Sequence, residues 1–205
     1  MFDRYALKIL KPALDKVGQK IRDKGYSADQ VTFLGFGLGL ISALCVAFGF
    51  YAFAILPLLL GRACDGLDGA VARAGVATDR GAFLDIGLDF LFYASIPLAF
   101  AIAAPDNNAL AAATLLAAFV GTGSSFLGYA IIAEKRGLKS TAYPSKSFYY
   151  LGGLTEGTET VACFLAMCVW PQHFAGLAYF YAGLCMATTC TRLLAGWQAF
   201  ASPKD

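Results

Sequence analysis

Asp65 and Asp68 are three residues apart, and Asp85 and Asp89 are four apart, in two runs that otherwise read as membrane helix. On a helix, either spacing puts both carboxylates on one face. A short polar turn separates the runs, which makes the two helices antiparallel and lets the acidic faces meet. A carboxylate in lipid is costly without a partner, so an ionisable residue in a span marks a functional site. Four that converge form a nest of hard oxygen donors, suited to magnesium or manganese and unsuited to a soft metal. An ion-pair network is the alternative. It needs cations at the same depth, and along the chain Arg73 and Arg80 are the near ones. Two positive charges do not neutralise four carboxylates, which favours bound metal.

The residues fall in a longer pattern, D-x2-D-G-x2-A-R-x7-G-x3-D-x3-D, filled by Asp65, Asp68, Gly69, Ala72, Arg73, Gly81, Asp85 and Asp89. This resembles the signature of the CDP-alcohol phosphotransferases, integral membrane enzymes that move a substituted phosphate from a CDP-linked donor to an alcohol and release CMP. The resemblance implies two divalent ions, magnesium or manganese. Asp65, Asp68 and Asp85 would be the principal ligands, and Asp89 would be general base and a contact to the second ion. It implies a nucleotide site at Asp65, Gly69, Arg73 and Gly81, with Thr32 a weaker candidate. Arg73 could equally anchor its helix at the interface or balance the aspartates. The family usually has Asn where Gln30 stands. A homodimer is expected on the same ground.

The elements that must position these residues follow from composition. The apolar fraction is 58% and mean hydropathy +0.61, above the range of soluble domains. The expectation is an all-α integral membrane protein: six transmembrane helices preceded by an amphipathic interfacial helix, in one domain spanning 1–205. Residues 2–24 repeat apolar positions nearly every four, with seven of the 16 Lys and Arg between them. That is a basic amphipathic helix for an anionic leaflet, interrupted by Pro12. Ser27 and Asp29 are plausible caps for the first span. The spans are expected near 31–50, 53–73, 81–104, 110–133, 148–170 and 175–200, with turns at Pro105–Asn108 and Pro171–His173. Gly35 and Gly39 give the first span a smooth face for close packing. The start of the chain is charged and lacks a continuous apolar signal core. The six cysteines lie in apolar stretches without a CxxC, which reads as packing.

The amino terminus, the 73–80 turn, the 134–147 loop and the carboxyl end are basic. The connections near 50, 106 and 172 have no Lys or Arg. Positive-inside therefore puts both termini in the cytoplasm, in the cell (inner) membrane. At roughly 1.5 Å per residue, Asp68 and Asp65 lie about 7 and 12 Å from Arg73, and Asp85 and Asp89 about 7 and 13 Å from Arg80. All four share one layer in the cytoplasmic half, open to a CDP-linked donor.

The leading function is transfer from CDP-diacylglycerol to a small alcohol, with glycerol 3-phosphate the first choice of acceptor. Inositol phosphate, serine or another alcohol would use the same chemistry. A divalent cation transporter is the alternative class, although transporter sites lie near the midplane between repeats, and no repeat of the aspartate hairpin is visible. Lys146, Glu156, Glu159 and Arg192 are candidates for the acceptor pocket. Arg62, Glu156, Glu159 and Arg192 could instead form two balanced ion pairs within the membrane. Phe90 stands where glycerophosphate-using relatives commonly have Lys and inositol-phosphate users Arg. His173 falls in an external turn, which sets histidine catalysis aside. No nucleic-acid partner is expected.

Overall fold

The computed structural model describes residues 3–137 and 153–201. All of its elements are helical: α1 Asp3–Asp23, α2 Ala28–Ala47, α3 Tyr51–Ala74, α4 Asp79–Ala103, α5 Pro105–Lys135, α6 Gly157–Val169, a 3₁₀ turn at Pro171–His173, and α7 Phe174–Ala199. Local chemistry sets most boundaries. Ser27 caps α2 in a reciprocal box with Gln30. Gly49, at φ +79°, takes the left-handed conformation that turns the chain from α2 into α3. Thr78 caps α4 by accepting from the Gly81 N–H.

α1 runs through Pro12, close to the expected 2–24. Two boundaries differ from the hydropathy reading. Pro105–Asn108 is not a turn but the start of α5: Pro105 sits in the first turn of the helix, where its missing N–H costs nothing. Asn108 is buried there and donates to the Phe100 carbonyl. The expected 148–170 span is helical only from Gly157, because Gly153–Glu156 is irregular and Glu156 is the N-cap. The 13 residues of α6 reach about 20 Å, less than the ~30 Å of a bilayer core.

α2, α4, α5 and Pro171–Ala199 are each long and apolar enough to cross a membrane. α3 has the length, at 24 residues, but carries Arg62, Asp65, Asp68 and Arg73. The outward surface is apolar, with Phe48, Phe53, Phe83, Leu110 and Trp197 exposed. The interior is rich in small residues, among them Ala43, Ala54, Ala99, Ala111, Ala112 and Ala118. Small residues let helix backbones approach, and where lipid is as apolar as leucine that contact drives association.

α2 packs closely on both α3 and α4, while α3 and α4 make little backbone contact with each other. The α2–α3 crossing is glycine on glycine: a Cβ on Gly35 would come within 3.1 Å of the Gly61 carbonyl oxygen, and one on Gly61 within 2.9 Å of the Gly35 oxygen. α1 lies on α3 with Gly18 against Ala70, where a Cβ would meet Ala70 Cβ at 2.8 Å. α5 and α7 form the second closely packed pair, joined to the first group through α4.

Candidate metal centre and active site

The gap that α2 holds open between α3 and α4 is where the carboxylates gather. One oxygen each from Asp65, Asp68 and Asp85 lie within 4.8 Å of one another. The cleft is also lined by Thr32, Arg62 and Asp89, and its free volume of about 10 Å³ is room for one water-sized species. Asp68 is the most enclosed, at 5% exposure, and Thr32 on α2 donates to its Oδ2 at 2.6 Å. The Thr32 hydroxyl is also 3.0 Å from the Ala28 carbonyl one turn back. Such outer contacts fix a ligand's orientation before an ion arrives.

Asp89 stands apart from the trio. Its Oδ1 accepts from Arg62 Nη1 at 2.6 Å, and the same nitrogen is 3.5 Å from Asp65 Oδ2. The guanidinium carbon lies 4.2 Å from the centre of the Phe92 ring and 5.5 Å from that of Tyr93, within cation–π range. Phe92 is in turn backed edge-on by Phe164 of α6.

The expected counter-charges are placed differently. Arg73 pairs with Asp15 of α1 at 2.9 Å, and Arg80 pairs with Asp29 of α2. Neither reaches the aspartates. Among the described residues the cation lining the cleft is Arg62, so it does not form one of two balanced pairs with Glu156 or Glu159. Its i, i+3 spacing to Asp65 was the available signal, since that spacing shares a helical face. Gln30 is committed to the α2 cap. Gly69, Arg73 and Gly81 do not line the cleft. Gly69 lies under the Arg73 guanidinium, where a Cβ would stand 3.3 Å from Nη1. A Cβ on Gly81 would stand 3.2 Å from both Asp29 Oδ1 and Thr78 Oγ1.

A second buried polar group lies where α6 meets α5 and α7. Thr188 Oγ1 accepts from the Thr155 N–H at 3.2 Å and lies 3.1 Å from Thr155 Oγ1. The Thr160 and Tyr181 hydroxyls are 2.7 Å apart. Arg192, 6% exposed, donates to the Thr122 carbonyl at 3.2 Å. Glu156 and Glu159 form a capping box at the start of α6, so Glu156 is a cap and not a helical neighbour of Glu159. Lys146 falls outside the described residues. All six cysteines are free thiols, and none joins the carboxylate cluster.

Residues 26–193 match the family model described as CDP-alcohol phosphatidyltransferase. The chain is 46% identical over 202 residues to the inner membrane protein YnjF of Escherichia coli, covering 98% of each. It is 33% identical over 97 residues to the archaetidylinositol phosphate synthase of Pyrococcus horikoshii, covering 47% of this chain and 51% of that one. Its fold is similar to that of the phosphatidylinositol phosphate synthase PgsA1 of Mycobacterium tuberculosis, solved with CDP-DAG bound. The TM-score is 0.72 at 21% identity, over 90% of this chain and 93% of that one. The chain belongs to the CDP-alcohol phosphatidyltransferase family. It is a membrane transferase of phospholipid synthesis, and the transporter alternative finds no support in these relatives.

Proposed function

We propose that the protein moves a phosphatidyl group from CDP-diacylglycerol to the hydroxyl of a small phosphorylated polyol, releasing CMP. The observation that carries this reading is the convergence of Asp65, Asp68 and Asp85 beside a separately held Asp89. The donor set fits magnesium or manganese: ionised oxygens, closely spaced, one of them fixed by Thr32. Bound there, such an ion supplies Lewis-acid stabilisation of charge on the attacked phosphoryl group and the leaving CMP. Asp65, Asp68 and Asp85 hold it. Asp89 takes the proton from the acceptor hydroxyl, and because Arg62 engages Oδ1, the accepting atom is Oδ2. The two-ion arrangement of the family resemblance would add Asp89 to the ligand set. Arg73 exchanges Asp15 for a nucleotide phosphate at the mouth of the site, over the bare surface of Gly69. Asp65, Thr32 and Gly81 complete the nucleotide side.

The acceptor's phosphate is assigned to Arg192. Its partner Thr122 precedes Gly123, and a Cβ on Gly123 would collide with the ring of Phe90, the residue after Asp89. These contacts lead from a buried guanidinium to the residue that follows the proposed base, and a substrate with a phosphate at one end and a hydroxyl at the other would use both groups. Glu156 and Glu159 contribute through the cap at the start of α6, and Lys146 is a further candidate on the sequence alone. Glycerol 3-phosphate and inositol phosphate both fit, and the partial likeness to an archaetidylinositol phosphate synthase gives the second equal standing.

The single domain spans 1–205. The membrane domain makes six crossings, α6 being part of one, α1 rests on the cytoplasmic surface, both termini are cytoplasmic, and two copies associate in the inner membrane. Apolar helices and basic loops support this arrangement.

The test is CMP release by purified protein given CDP-diacylglycerol and, in turn, glycerol 3-phosphate, inositol 1-phosphate, serine and inositol. A phosphorylated polyol should be preferred. Arg192→Ala should then raise that acceptor's KM by roughly 10- to 100-fold, the loss of a charged hydrogen bond, and leave the KM for CDP-diacylglycerol near its starting value. Preference for serine or for free inositol sinks the phosphorylated-acceptor reading.

A further inference from the structure

α3 and α4 carry the two acidic pairs, yet their backbones scarcely touch. Arg62 spans that gap. It leaves α3 three residues before Asp65 and reaches Asp89, Phe92 and Tyr93 of α4. Those three, at spacings of three and four, share one helical face. Nη1 donates to Asp89 Oδ1 at 2.6 Å, while the rings of Phe92 and Tyr93 hold the guanidinium by cation–π contact. The rings are themselves backed. Phe164 of α6 lies 6.2 Å from each of them, and Phe119 of α5 lies 6.5 Å from Tyr93. This seat does not serve the arginine's own hydrogen bonding, because its buried Nε has no partner. An unmet buried N–H is costly, and folds retain such costs where function uses them. The short contact is to Asp89. Asp65 Oδ2 stands 3.5 Å from Nη1, beyond the usual hydrogen-bond distance, and Asp68 is oriented by Thr32 from α2.

We propose that Arg62 is a strut between α3 and α4 that positions Asp89 for proton removal. It acts on the placement of the base and not on the three metal ligands. This rests on the reading of Asp89 as the base. A planar guanidinium seated on two rings fixes Oδ1, so the carboxylate does not turn and Oδ2 keeps one direction. Misplacing a reacting group by 1 Å costs on the order of 10²-fold in rate. Lysine would keep the charge but not the flat fork or its ring contacts. Arg62 touches no reacting atom and is a positioning residue.

The experiment is steady-state CMP release by the purified full-length protein, with magnesium, CDP-diacylglycerol and the preferred acceptor each varied. Arg62→Gln should lower kcat on the order of 10²-fold. The KM for CDP-diacylglycerol and the magnesium concentration for half-maximal activity should stay near wild type. Arg62→Lys should remain about 10-fold or more below wild type in kcat. In an Asp89→Asn background, Arg62→Gln should cost nothing further, because no base is left to place. Full activity in Arg62→Lys would overturn the inference, since charge alone would then suffice. A raised magnesium requirement in either variant would overturn it as well, by routing the effect through Asp65. So would losses from Arg62→Gln and Asp89→Asn that multiply. If Arg62→Gln does not fold, Arg62→Lys carries the same three readings. If Asp89→Asn alone leaves kcat unchanged, the base reading fails and takes the inference with it. If Asp89→Asn is slow and both Arg62 variants turn over at the wild-type rate, only the role of Arg62 is lost.

Discussion

Around Asp68, the carboxylates of Asp65, Asp85 and Asp89 and the guanidinium of Arg62 share one cleft. Around Thr188, buried hydroxyls meet one another and a backbone N–H, with Arg192 on a carbonyl nearby. Both regions sit among apolar helices, where an unmet polar group costs several kcal/mol. They meet that cost differently. In the threonine region the hydroxyls are met by one another and by backbone groups, and what they hold in place is irregular backbone at Gly153–Glu156. Such backbone is tolerated at membrane depth only where protein buries it. The aspartate region instead gathers like charges, with Arg62 set against Asp65 and Asp89. Excess charge of one sign in a cleft lowers stability and is retained where a ligand uses it.

Asp68→Asn gives the largest effect expected from this difference. Turnover should fall on the order of 10³-fold, since an amide is a poor ligand for a hard cation and the lost charge stabilisation belongs to the transition state. The metal-free protein should melt no lower than wild type, because one of the mutually repelling charges is gone. CMP release and thermal unfolding in chelator measure the two halves. A large drop in melting temperature would show that Asp68 is structural and that the two regions are alike.

Much of the aspartate region is legible in the chain. Asp65, Asp68, Asp85 and Asp89 announce themselves by spacing on apolar helices, and their meeting follows from the short turn between them. Two parts of the site are not legible. The Thr32–Asp68 contact needs α2 to lie between α3 and α4, which depends on the close fit of Gly35 against Gly61 and not on any local pattern. Counting charges along the chain sets Arg62 and Arg192 against Glu156 and Glu159. Position on the helix face is what decides, and it puts Arg62 beside Asp65. In the threonine region, averaging hydropathy across 148–170 hid the break before α6. Gly153 and the Glu156–Gly157 pair carry breaker and cap signals that an apolar count ignores.

A smaller effect separates holding a ligand from being one. Thr32→Val keeps the shape of the side chain and removes the donor to Asp68 Oδ2. The magnesium concentration for half-maximal activity should rise about 10- to 100-fold, as for other outer contacts to metal ligands. Activity at saturating magnesium should largely recover. If it stays low at every magnesium concentration, Thr32 acts on the nucleotide and not through Asp68.

The smallest effect should come from the threonine region, and there it should fall on stability alone. Thr188 is fully buried. Its hydroxyl donates to the Leu184 carbonyl while accepting from the Thr155 N–H. Thr188→Val preserves volume and leaves that N–H without an acceptor inside the protein. An unsatisfied buried donor costs about 1–3 kcal/mol, and the Leu184 carbonyl keeps its bond within the helix. Unfolding should move down by that amount, with the irregular segment before α6 becoming more accessible to hydrogen exchange. The magnesium requirement should not move, because Thr188 is not among the residues that line the aspartate cleft. A shift in magnesium requirement comparable to that of Thr32→Val would mean that the two regions are coupled, and that the closed network around α6 sets the geometry of the open one.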